Sequence, residues 1–399
     1  MRLKTLPKKE TFRGKIVLVR TDCNVPIVDG KVTDESKIIA AAPTIAHLSQ
    51  AGARVVVLSH LGRPKGFDLA FSLRPVAKSL SQILEMPVLF DDIFYSQASY
   101  TAQVKKRIAA LSEGGILFLE NTRFAPGEDC NDDVFAKRLA GYADMFILDG
   151  FAVAHRDAAS VSGVAQYLPS CAGLLLSREV TGLSKAFSAE RPSVLVIGGV
   201  KMETKIPVLL SLAPRMSAVC LVGGVASTYF FARGYGVGDS LVDKDEVSTM
   251  LRALKKGNIV PPVDVVVGAK DGSRHRVVSV SSTPSDLCSS GESILDIGPE
   301  TIRLLSDRLR EAKTIVWNGA CGYMEQKPYD TGTLAVARLV GSVSRGSCFG
   351  IVGGGETVQA LALSGMSQYV DLVSTGGGAM LEFLSGKKLP GIRAVSSWW

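Results

Sequence analysis

The fold of this chain is decided by the stretch Ser193-Val-Leu-Val-Ile-Gly-Gly-Val-Lys-Met-Glu-Thr-Lys-Ile-Pro-Val208. It opens with a short, β-branched apolar run, which is typical of a parallel strand buried on both faces. The two glycines that follow allow a sharp turn and leave backbone amides open to a ligand. We expect a helix to start near Thr204, with Pro207 in its first turn. The pattern predicts a strand, a glycine turn and a helix N-terminus that can receive a phosphate.

Two lysines in this stretch are candidate phosphate ligands. Lys201 and Lys205 are four residues apart, so on one helical turn both ammonium groups would project to one side, beside the positive end of the helix. The same spacing also fits two surface lysines on an ordinary connection. The stretch matches neither the P-loop nor the dinucleotide-binding glycine motif, so neither template assigns a function.

The composition indicates a globular α/β protein with anionic partners. Its 399 residues exceed the usual size of a single core, which favours two domains. The apolar runs are too short for a membrane span, and the basic N-terminus lacks the apolar core of a signal peptide, so we expect a cytoplasmic protein. The seven cysteines form no Cys-x-x-Cys pair and predict scattered reduced thiols. A net charge of +7 favours a nucleic acid, an anionic membrane surface or a phosphorylated metabolite as partner.

In the first half of the chain, predicted strands alternate with helices. The strands are expected at 16–20, 54–58, 88–90, 116–119 and 145–148, and Thr33 or Asp34 is expected to cap the first helix. Such alternation predicts a parallel sheet, which binds ligands at the carboxyl ends of its strands. Polar residues follow the strands at that end: Asp22, Asn24, His60, Arg63, Arg123, His155 and Arg156. Several arginine forks at one mouth predict a small, multiply charged anion as ligand.

The second half of the chain repeats this alternation with glycine-rich loops. Its strands are expected at 194–197, 218–222, 263–267, 314–317, 349–352 and 372–374. The loops that follow carry glycine pairs or triplets at 198–199, 223–224, 353–355 and 376–378. Bare backbone amides at strand ends form anion-binding concavities. This half therefore predicts a polyphosphate site, and Glu356 is a candidate ligand for the metal ion of that polyphosphate.

Short motifs occur in order along both halves. The first half contains Val17-Leu-Val-Arg-Thr-Asp-Cys-Asn-Val-Pro26, Ser59-His-Leu-Gly-Arg-Pro64, Glu120-Asn-Thr-Arg-Phe124 and Ala154-His-Arg156. The second contains Gly198-Gly-Val-Lys-Met-Glu-Thr-Lys205, Leu295-Asp-Ile-Gly-Pro299, Val316-Trp-Asn-Gly319, Gly353-Gly-Gly-Glu-Thr357 and Ser374-Thr-Gly-Gly-Gly-Ala379. Together these motifs resemble the phosphoglycerate kinase family. The resemblance implies a glycolytic kinase that reversibly moves the acyl phosphate of 1,3-bisphosphoglycerate to MgADP, giving 3-phosphoglycerate and MgATP.

The resemblance also implies roles for individual residues. Residues implied to hold 3-phosphoglycerate are Asp22, Asn24, Lys37, His60, Arg63, Arg123 and Arg156. Residues implied to act on the transferred group are Lys37, Lys201 and Lys205. Residues implied to bind the nucleotide are Lys205, Gly223, Gly224 and Asn318 near the adenosine and phosphates, Glu325 at the ribose, and Gly354, Gly355, Glu356 and Thr357 at the phosphates and Mg²⁺.

The implied fold is α/β, with two Rossmann-like three-layer lobes that each contain a parallel sheet and are joined by a hinge helix. The expected boundaries are 1–171 for an N-terminal lobe that binds 3-phosphoglycerate, 172–190 for the hinge helix, 191–378 for a C-terminal nucleotide-binding lobe, and 379–399 for a tail that returns to the N-terminal lobe. We further expect a hinge-bending monomer that binds neither nucleic acid nor membrane.

Two departures from the family pattern support an alternative to a fully active kinase. Lys37 stands where the family has a catalytic arginine, and it keeps the charge without the bidentate fork. Glu356 stands where the family has an aspartate after its triple glycine, and its side chain is one methylene longer. These departures leave open a kinase-like binding protein of low activity. They also leave open that Arg20 or Lys31, instead of Lys37, covers the transferred group.

Overall fold

The computed structural model describes residues 2–92, 100–255 and 258–397, and the chain divides into two units. Unit 1 contains Met1–Val180 and Lys388–Trp399, and unit 2 contains Thr181–Lys387. Met1 and the last two residues of the predicted tail lie outside the described residues.

The strands of unit 1 form one central parallel sheet and two short antiparallel pairs. In chain order they are β1 (Arg2–Leu3), β2 (Ile16–Arg20), β3 (Ile27–Val28), β4 (Lys31–Val32), β5 (Arg54–Leu58), β6 (Val88–Asp91), β7 (Ile116–Leu119), β8 (Met145–Leu148), β9 (Ser170–Ala172) and, near the C-terminus, β19 (Ser396–Ser397). The parallel sheet has the order β6-β7-β5-β2-β8-β9, while β3 pairs with β4 and β1 pairs with β19. The five strands predicted for this sheet are confirmed, and the short sixth strand β9 was missed.

Helices cover the parallel sheet of unit 1 because its strands are apolar on both faces. They are α1 (Ser36–Gln50), α2 (Arg74–Leu84), α3 (Tyr100–Ala109), α4 (Asp133–Ala140), α5 (Leu174–Ser184), which runs on into unit 2, and α13 (Pro390–Ala394). On one face, Val17 and Val19 of β2 pack in a single buried cluster with Ile45 of α1 and Val76 of α2. On the other face, Gly391 of α13 lies close to the side chain of Leu148.

Unit 2 contains the strand quoted first, β10, at the centre of a second parallel sheet. Its strands are β10 (Ser193–Ile197), β11 (Ala218–Leu221), β12 (Ile259–Val260), β13 (Asp264–Gly268), β14 (His275–Ser279), β15 (Ser293–Ile297), β16 (Thr314–Asn318), β17 (Phe349–Gly353) and β18 (Leu372–Ser374). The parallel sheet has the order β12-β11-β10-β16-β17-β18, and every residue of β10 is buried. Its helices are α6 (Met202–Leu212), α7 (Gly223–Ala232), α8 (Val247–Leu254), α9 (Pro299–Arg310), α10 (Thr331–Ser344), α11 (Gly355–Leu363) and α12 (Gly378–Leu384).

One strand prediction for unit 2 was wrong. The valine run at 263–267 was expected in the parallel sheet, but β13 lies in a separate antiparallel sheet of order β14-β13-β15. The short strand β12 takes the edge of the parallel sheet instead. A run of valines offers an apolar side chain to either face, so its pattern does not distinguish a parallel from an antiparallel neighbour. With this exception the α/β fold with a parallel sheet in each lobe is confirmed.

Candidate functional sites, one in each unit

The candidate site of unit 1 is built around Asp22, which follows β2. Its Oδ2 accepts a hydrogen bond from Lys37 Nζ at 2.8 Å, and its Oδ1 lies 3.7 Å from Nδ1 of His60. Burial favours the neutral acid, but Lys37 and the other cations nearby outweigh burial and lower the pKa of Asp22. Asp22 is therefore an ionised carboxylate that orients its neighbours.

Lys37 reaches Asp22 from the first turn of α1. The helix begins at Ser36 with Glu35 as its N-cap, so the prediction that Thr33 or Asp34 caps it was wrong. Asp34 instead accepts a hydrogen bond from the backbone N–H of Ser36 at 2.9 Å and tightens the turn before the helix. The side chain of Lys37 remains 29% exposed, so its ammonium group is accessible to a ligand.

Asn24 ties two loops of the site together. Its backbone N–H donates to Asp22 Oδ1 at 3.2 Å, and its side-chain Oδ1 accepts from the N–H of Gly62 at 2.9 Å. Gly62 adopts a φ of +60°, and a Cβ there would lie 2.3 Å from the ring of Phe71. The chain therefore requires glycine at this point, and the side chain of the next residue, Arg63, is exposed.

The arginines of unit 1 differ in how much of their hydrogen-bonding capacity is used. Arg123 is nearly buried and donates to Asp129 at 3.1 Å and to the carbonyl of Gly62. Burial lowers the pKa of Arg156, and the nearby guanidinium groups of Arg123 and Arg63 lower it further. Within the described residues, Arg63 and Arg156 have no hydrogen bond or ion pair from their side chains. Cationic forks that lie close to one another without internal partners are suited to an external anion.

His60 completes this cluster as a neutral side chain. It is 4% exposed, and burial together with Arg20 holds its pKa well below the ordinary value. His155, which precedes Arg156, is partly buried. The sequence predicted it only as a polar residue at the end of a strand. Of the predicted residues of unit 1, Asp22 thus contacts Lys37, Asn24 and His60 directly.

The candidate site of unit 2 is formed mainly by backbone. The loops after β10, β11 and β17 lead directly into α6, α7 and α11, which begin at Met202, Gly223 and Gly355. A Cβ at Gly198 would lie 2.3 Å from the carbonyl oxygen of Ala320, and one at Gly319 would lie 2.2 Å from that of Gly198. The loops therefore cross at a distance that only glycine permits, and they leave helix N-terminal amides at one end of the sheet.

Lys205 is the buried cation of this site. It is 7% exposed, its Nζ donates to Oδ1 of Asn318, and Nδ2 of Asn318 donates to the carbonyl of Gly353 at 2.6 Å. Burial lowers the pKa of Lys205 to about 8, and the nearby Glu356 acts in the opposite direction. Asn318 thus fixes the lysine and one glycine loop relative to each other.

We expected Lys201 and Lys205 to share a helical turn, but the structure shows that they do not. Helix α6 starts at Met202, earlier than the predicted Thr204, and Lys201 is its extended N-cap residue. Pro207 consequently lies inside the helix and not in its first turn. Lys201 is exposed, and no described residue forms a hydrogen bond or ion pair with its side chain. The two lysines therefore differ in burial and are expected to differ in role.

A cavity of about 310 Å³ lies against these loops. Predicted nucleotide residues in its lining are Gly223, Gly224, Glu325 and Glu356. Asn318 and Thr357 are buried behind it, where Thr357 donates its hydroxyl to the carbonyls of Gly353 and Gly354. Gly354 has a φ of +104°, and nothing within 4 Å obstructs Gly355. The apolar walls of the cavity suit a flat ring and its polar rim suits the groups attached to that ring.

Several lining residues were not predicted as functional. Val200, Leu241 and Tyr323 are large, partly exposed side chains that form the walls of the cavity. Asp296 also lines it and accepts hydrogen bonds from the N–H groups of Ile297 and Gly332. The motif around Asp296 was the available signal, whereas isolated apolar residues in loops give none.

The polar network behind His60 was also missed. Arg20, Glu128 and Ser160 are buried together in unit 1, and Arg20 had been considered only as a cover for the transferred group. A glutamate in a polar loop carries no sequence signal of burial, because glutamate in loops is usually exposed.

A metal site made of protein alone is absent from the described part of the chain, where no three His, Cys, Asp or Glu side chains converge. Glu356 is exposed in the first turn of α11 and lies near enough to Lys205 to influence its pKa. One exposed carboxylate beside a phosphate-type loop fits a Mg²⁺ ion that keeps most of its other ligands from water and substrate phosphates.

No helix in the described ranges has both the length and the apolar character needed to span a bilayer.

Comparisons with known proteins place nearly the whole chain in one family. Residues 8–387 match the family model described as phosphoglycerate kinase. A phosphoglycerate kinase of Rhodospirillum centenum is 42% identical over 394 residues, covering 96% of this chain and 97% of the relative. One from Desulfosudis oleivorans is 43% identical with 96% of each chain covered.

Among solved structures, phosphoglycerate kinase of Coxiella burnetii superposes with a TM-score of 0.85 at 36% identity, covering 98% of both chains. That of Pyrococcus horikoshii gives 0.80 at 30% identity, covering 96% of both. The family match over residues 8–387, together with relatives that are 42–43% identical over nearly the whole chain, establishes that this chain belongs to the phosphoglycerate kinase family.

Proposed function

We propose that this chain reversibly transfers the acyl phosphate of 1,3-bisphosphoglycerate to MgADP, giving 3-phosphoglycerate and MgATP. The observation that carries this proposal is the family match over residues 8–387, a range that contains the residues of both candidate sites. The chain is accordingly a phosphotransferase of glycolysis.

Unit 1 is proposed to bind the three-carbon acid. 3-Phosphoglycerate carries a phosphate and a carboxylate, and arginine forks bind both groups with two parallel hydrogen bonds. The side chains of Arg63 and Arg156 have no hydrogen bond or ion pair within the described residues, and Lys37 is partly exposed. The proposed ligand set is Asp22, Asn24, Lys37, His60, Arg63, Arg123 and Arg156, with Asp22 and Asn24 acting chiefly through the groups that they orient.

Unit 2 is proposed to bind the nucleotide. The amides at the starts of α7 and α11 are suited to its phosphates, and Gly223, Gly224 and Glu325 line the cavity proposed for its nucleoside. Gly354, Gly355 and Thr357 shape the proposed phosphate loop, and Asn318 joins Lys205 to the carbonyl of Gly353 at its start.

Mg²⁺ is proposed to arrive with the nucleotide. Glu356 would hold it together with phosphate oxygens and water, because Mg²⁺ prefers one or two carboxylates plus substrate phosphates. When bound, the ion neutralises phosphate charge. The residues of the chain then position the reactants: Lys205 offers a cation that Asn318 holds, and Lys201 offers an exposed one.

The chemistry of phosphoryl transfer explains why no nucleophilic side chain is needed. In-line transfer depends on positioning and on charge neutralisation, which lysines and backbone amides provide. The two substrates must also meet with water excluded, because water would hydrolyse the acyl phosphate. We therefore propose that the two lobes close during the reaction. We also keep the predicted lobe boundaries, with a hinge helix at 172–190. A cytoplasmic monomer that binds neither nucleic acid nor membrane remains our expectation.

A coupled assay tests the proposal. We expect 3-phosphoglycerate-dependent formation of ADP from MgATP, and the reverse reaction with 1,3-bisphosphoglycerate and MgADP. Folded protein without turnover in either direction would overturn it. If such protein still bound both ligands in calorimetry, the low-activity alternative raised by Lys37 and Glu356 would be favoured.

A further inference from the structure

Arg20 occupies a position from which it does not reach a ligand. It is the last residue of β2, and it is 2% exposed. Its Nε donates to Ser160 Oγ at 2.7 Å, its Nη1 donates to the carbonyl of Thr21, and its Nη2 lies 3.3 Å from Nδ1 of His60. The guanidinium group of Arg20 therefore contacts only protein atoms, so any effect of Arg20 on a ligand must pass through another residue.

A buried network anchors the guanidinium. Ser160 accepts from Arg20 and donates its hydroxyl to Glu128 Oε1 at 2.5 Å, while its backbone N–H donates to Oε2 at 3.0 Å. Thr122 also donates to Glu128, at 3.2 Å, and Nη2 of Arg20 lies 3.9 Å from Glu128 Oε1. Glu128 is 2% exposed, and Ser160 and Thr122 are completely buried. Rotation of Arg20 would leave several buried polar groups unpaired, which is costly in a low-dielectric interior.

Two groups compete for Nδ1 of His60. Arg20, which can only donate, lies 3.3 Å away, and the carboxylate oxygen of Asp22, which can only accept, lies 3.7 Å away. The longer distance is outside the range of a hydrogen bond. The Asp22 carboxylate already accepts from Lys37 and from the N–H of Asn24. Nδ1 is therefore placed as an acceptor.

The protonation state of the His60 ring decides which of its two nitrogens carries the hydrogen. Burial and the charge of Arg20 keep the pKa of His60 well below its ordinary value, so the ring is neutral at physiological pH. A neutral imidazole carries a single N–H, and if Nδ1 accepts then Nε2 carries the hydrogen.

We propose that Arg20 is a positioning residue that fixes neutral His60 in the Nε2–H tautomer, so that the imidazole donates a hydrogen bond from Nε2 to the anionic three-carbon acid. This inference rests on the proposed function, since it takes His60 as a ligand group. The other tautomer would direct a lone pair at an anion. The network thus converts a neutral side chain, which has no charge to attract the substrate, into a directed donor.

The tautomer is measured directly on the unaltered protein. Histidines labelled with ¹⁵N in the ring are observed by long-range ¹H–¹⁵N correlation, and the four histidines are sorted by the signal that disappears in His60→Gln. We expect a protonated Nε2 and an unprotonated Nδ1 for His60 at neutral pH, without ligand. A hydrogen on Nδ1, or on both nitrogens, overturns the inference.

Substitution tests whether Arg20 is the cause. In Arg20→Met we expect hydrogen to appear on Nδ1, and KM for 3-phosphoglycerate to rise roughly 10- to 100-fold, the cost of one hydrogen bond to a charged group, with KM for MgATP almost unchanged. Thr122→Val is the matched control, because it removes one hydrogen bond to Glu128 and leaves the contacts of Arg20 with Ser160 and His60 in place, so it should keep the Nε2 hydrogen. A folded Arg20→Met protein with the original tautomer and KM contradicts the proposal. If Arg20→Met does not fold, the spectrum of the unaltered protein still decides.

The coupled assay separates this inference from the proposed function. Turnover by a protein whose His60 carries its hydrogen on Nδ1 overturns the role of Arg20 and leaves the function intact. Absence of turnover overturns the function and the donor role of His60 together.

Discussion

The two units bind anions with different parts of the polypeptide. In unit 1 the candidate contacts are side chains: Arg63, Arg156 and Lys37 are at least partly exposed, and the buried Asp22 accepts a hydrogen bond from Lys37. In unit 2 they are mostly backbone amides in loops that cross at Gly198 and Gly319. The side-chain site is weakened by removing atoms, whereas the backbone site is weakened chiefly by adding them.

The difference matches the two ligands. A small acid that carries two separate anionic groups is distinguished by forks placed at its ends. A polyphosphate has many equivalent oxygens, which a row of backbone amides at helix N-termini accommodates without long side chains. The comparison predicts that substitutions in one unit affect one ligand.

The largest effect is expected from Gly319→Ala. Its φ is +99°, and the added Cβ would lie 2.2 Å from the carbonyl oxygen of Gly198, so both strain and overlap oppose the change. We expect the free energy of unfolding to fall by about 2–5 kcal/mol and MgADP binding to weaken. Urea unfolding and calorimetry measure the two quantities.

Gly355→Ala is the matched control for this prediction. It lies in the same group of loops, but nothing within 4 Å meets its Cβ and its φ is not positive. Its free energy of unfolding should stay within about 0.5 kcal/mol of the original. Equal losses in both variants would show that the crossing of the loops is not what requires glycine.

Lys205→Met should lower turnover roughly 10²–10³-fold, the usual cost of removing one positioned charge donor. Stability should change much less, because removal of a buried charge offsets the hydrogen bond lost by Asn318. Lys201→Met should lower turnover by a smaller factor, since Lys201 is exposed and held by no described side chain. Steady-state kinetics with unfolding curves test both, and unchanged turnover in both variants would place the transferred group elsewhere.

The pH dependence of kcat/KM for MgATP should report Lys205. With a pKa of about 8, this lysine loses its charge above that pH, so kcat/KM should fall about tenfold per pH unit there. Stability should move the other way, because between pH 8 and 10.5 the unfolded chain binds more protons than the folded one. Lys205→Met should lack this alkaline fall. Identical profiles for the two proteins would assign the fall to another group.

Lys37→Arg should give the smallest effect, a several-fold rise in turnover with less change in KM for 3-phosphoglycerate. The helix already directs Lys37 at Asp22, and arginine would add a fork for the transferred phosphoryl group. Lys37→Ala should lower turnover sharply. The alternative in which another residue covers the transferred group now depends on Lys31, because Arg20 is buried. That alternative requires proteins with Ala, Lys or Arg at position 37 to have the same turnover in steady-state kinetics.

Sequence patterns were sufficient where the local signal and the tertiary role coincide. The apolar run of β10 was recognised as a buried parallel strand because its β-branched residues fill both faces. The glycine pairs at 198–199 and 223–224 marked two close-packed loops, because a Cβ at Gly198 or Gly223 would collide with the carbonyl oxygen of Ala320. Lys37 and Asp22, which the family resemblance assigned to one ligand, are joined by a hydrogen bond.

The patterns failed where neighbours decide the outcome. The valines of β13 fit a parallel or an antiparallel partner equally well, and only the fold selects one. Lys201 and Lys205 are alike in sequence, yet the start of α6 exposes one and buries the other. The burial of Glu128 beneath Arg20 depends on residues distant in the chain and leaves no local signature.

Calorimetric titration of 3-phosphoglycerate and of MgADP tests most directly the claim that each unit binds one ligand. The proteins to compare are the original, the double variant Arg63→Met with Arg156→Met, and Gly319→Ala. We predict that the double variant loses affinity for 3-phosphoglycerate and keeps its affinity for MgADP, while Gly319→Ala does the reverse. Loss of the same ligand in both variants, or loss of MgADP binding in the double variant, would contradict the account.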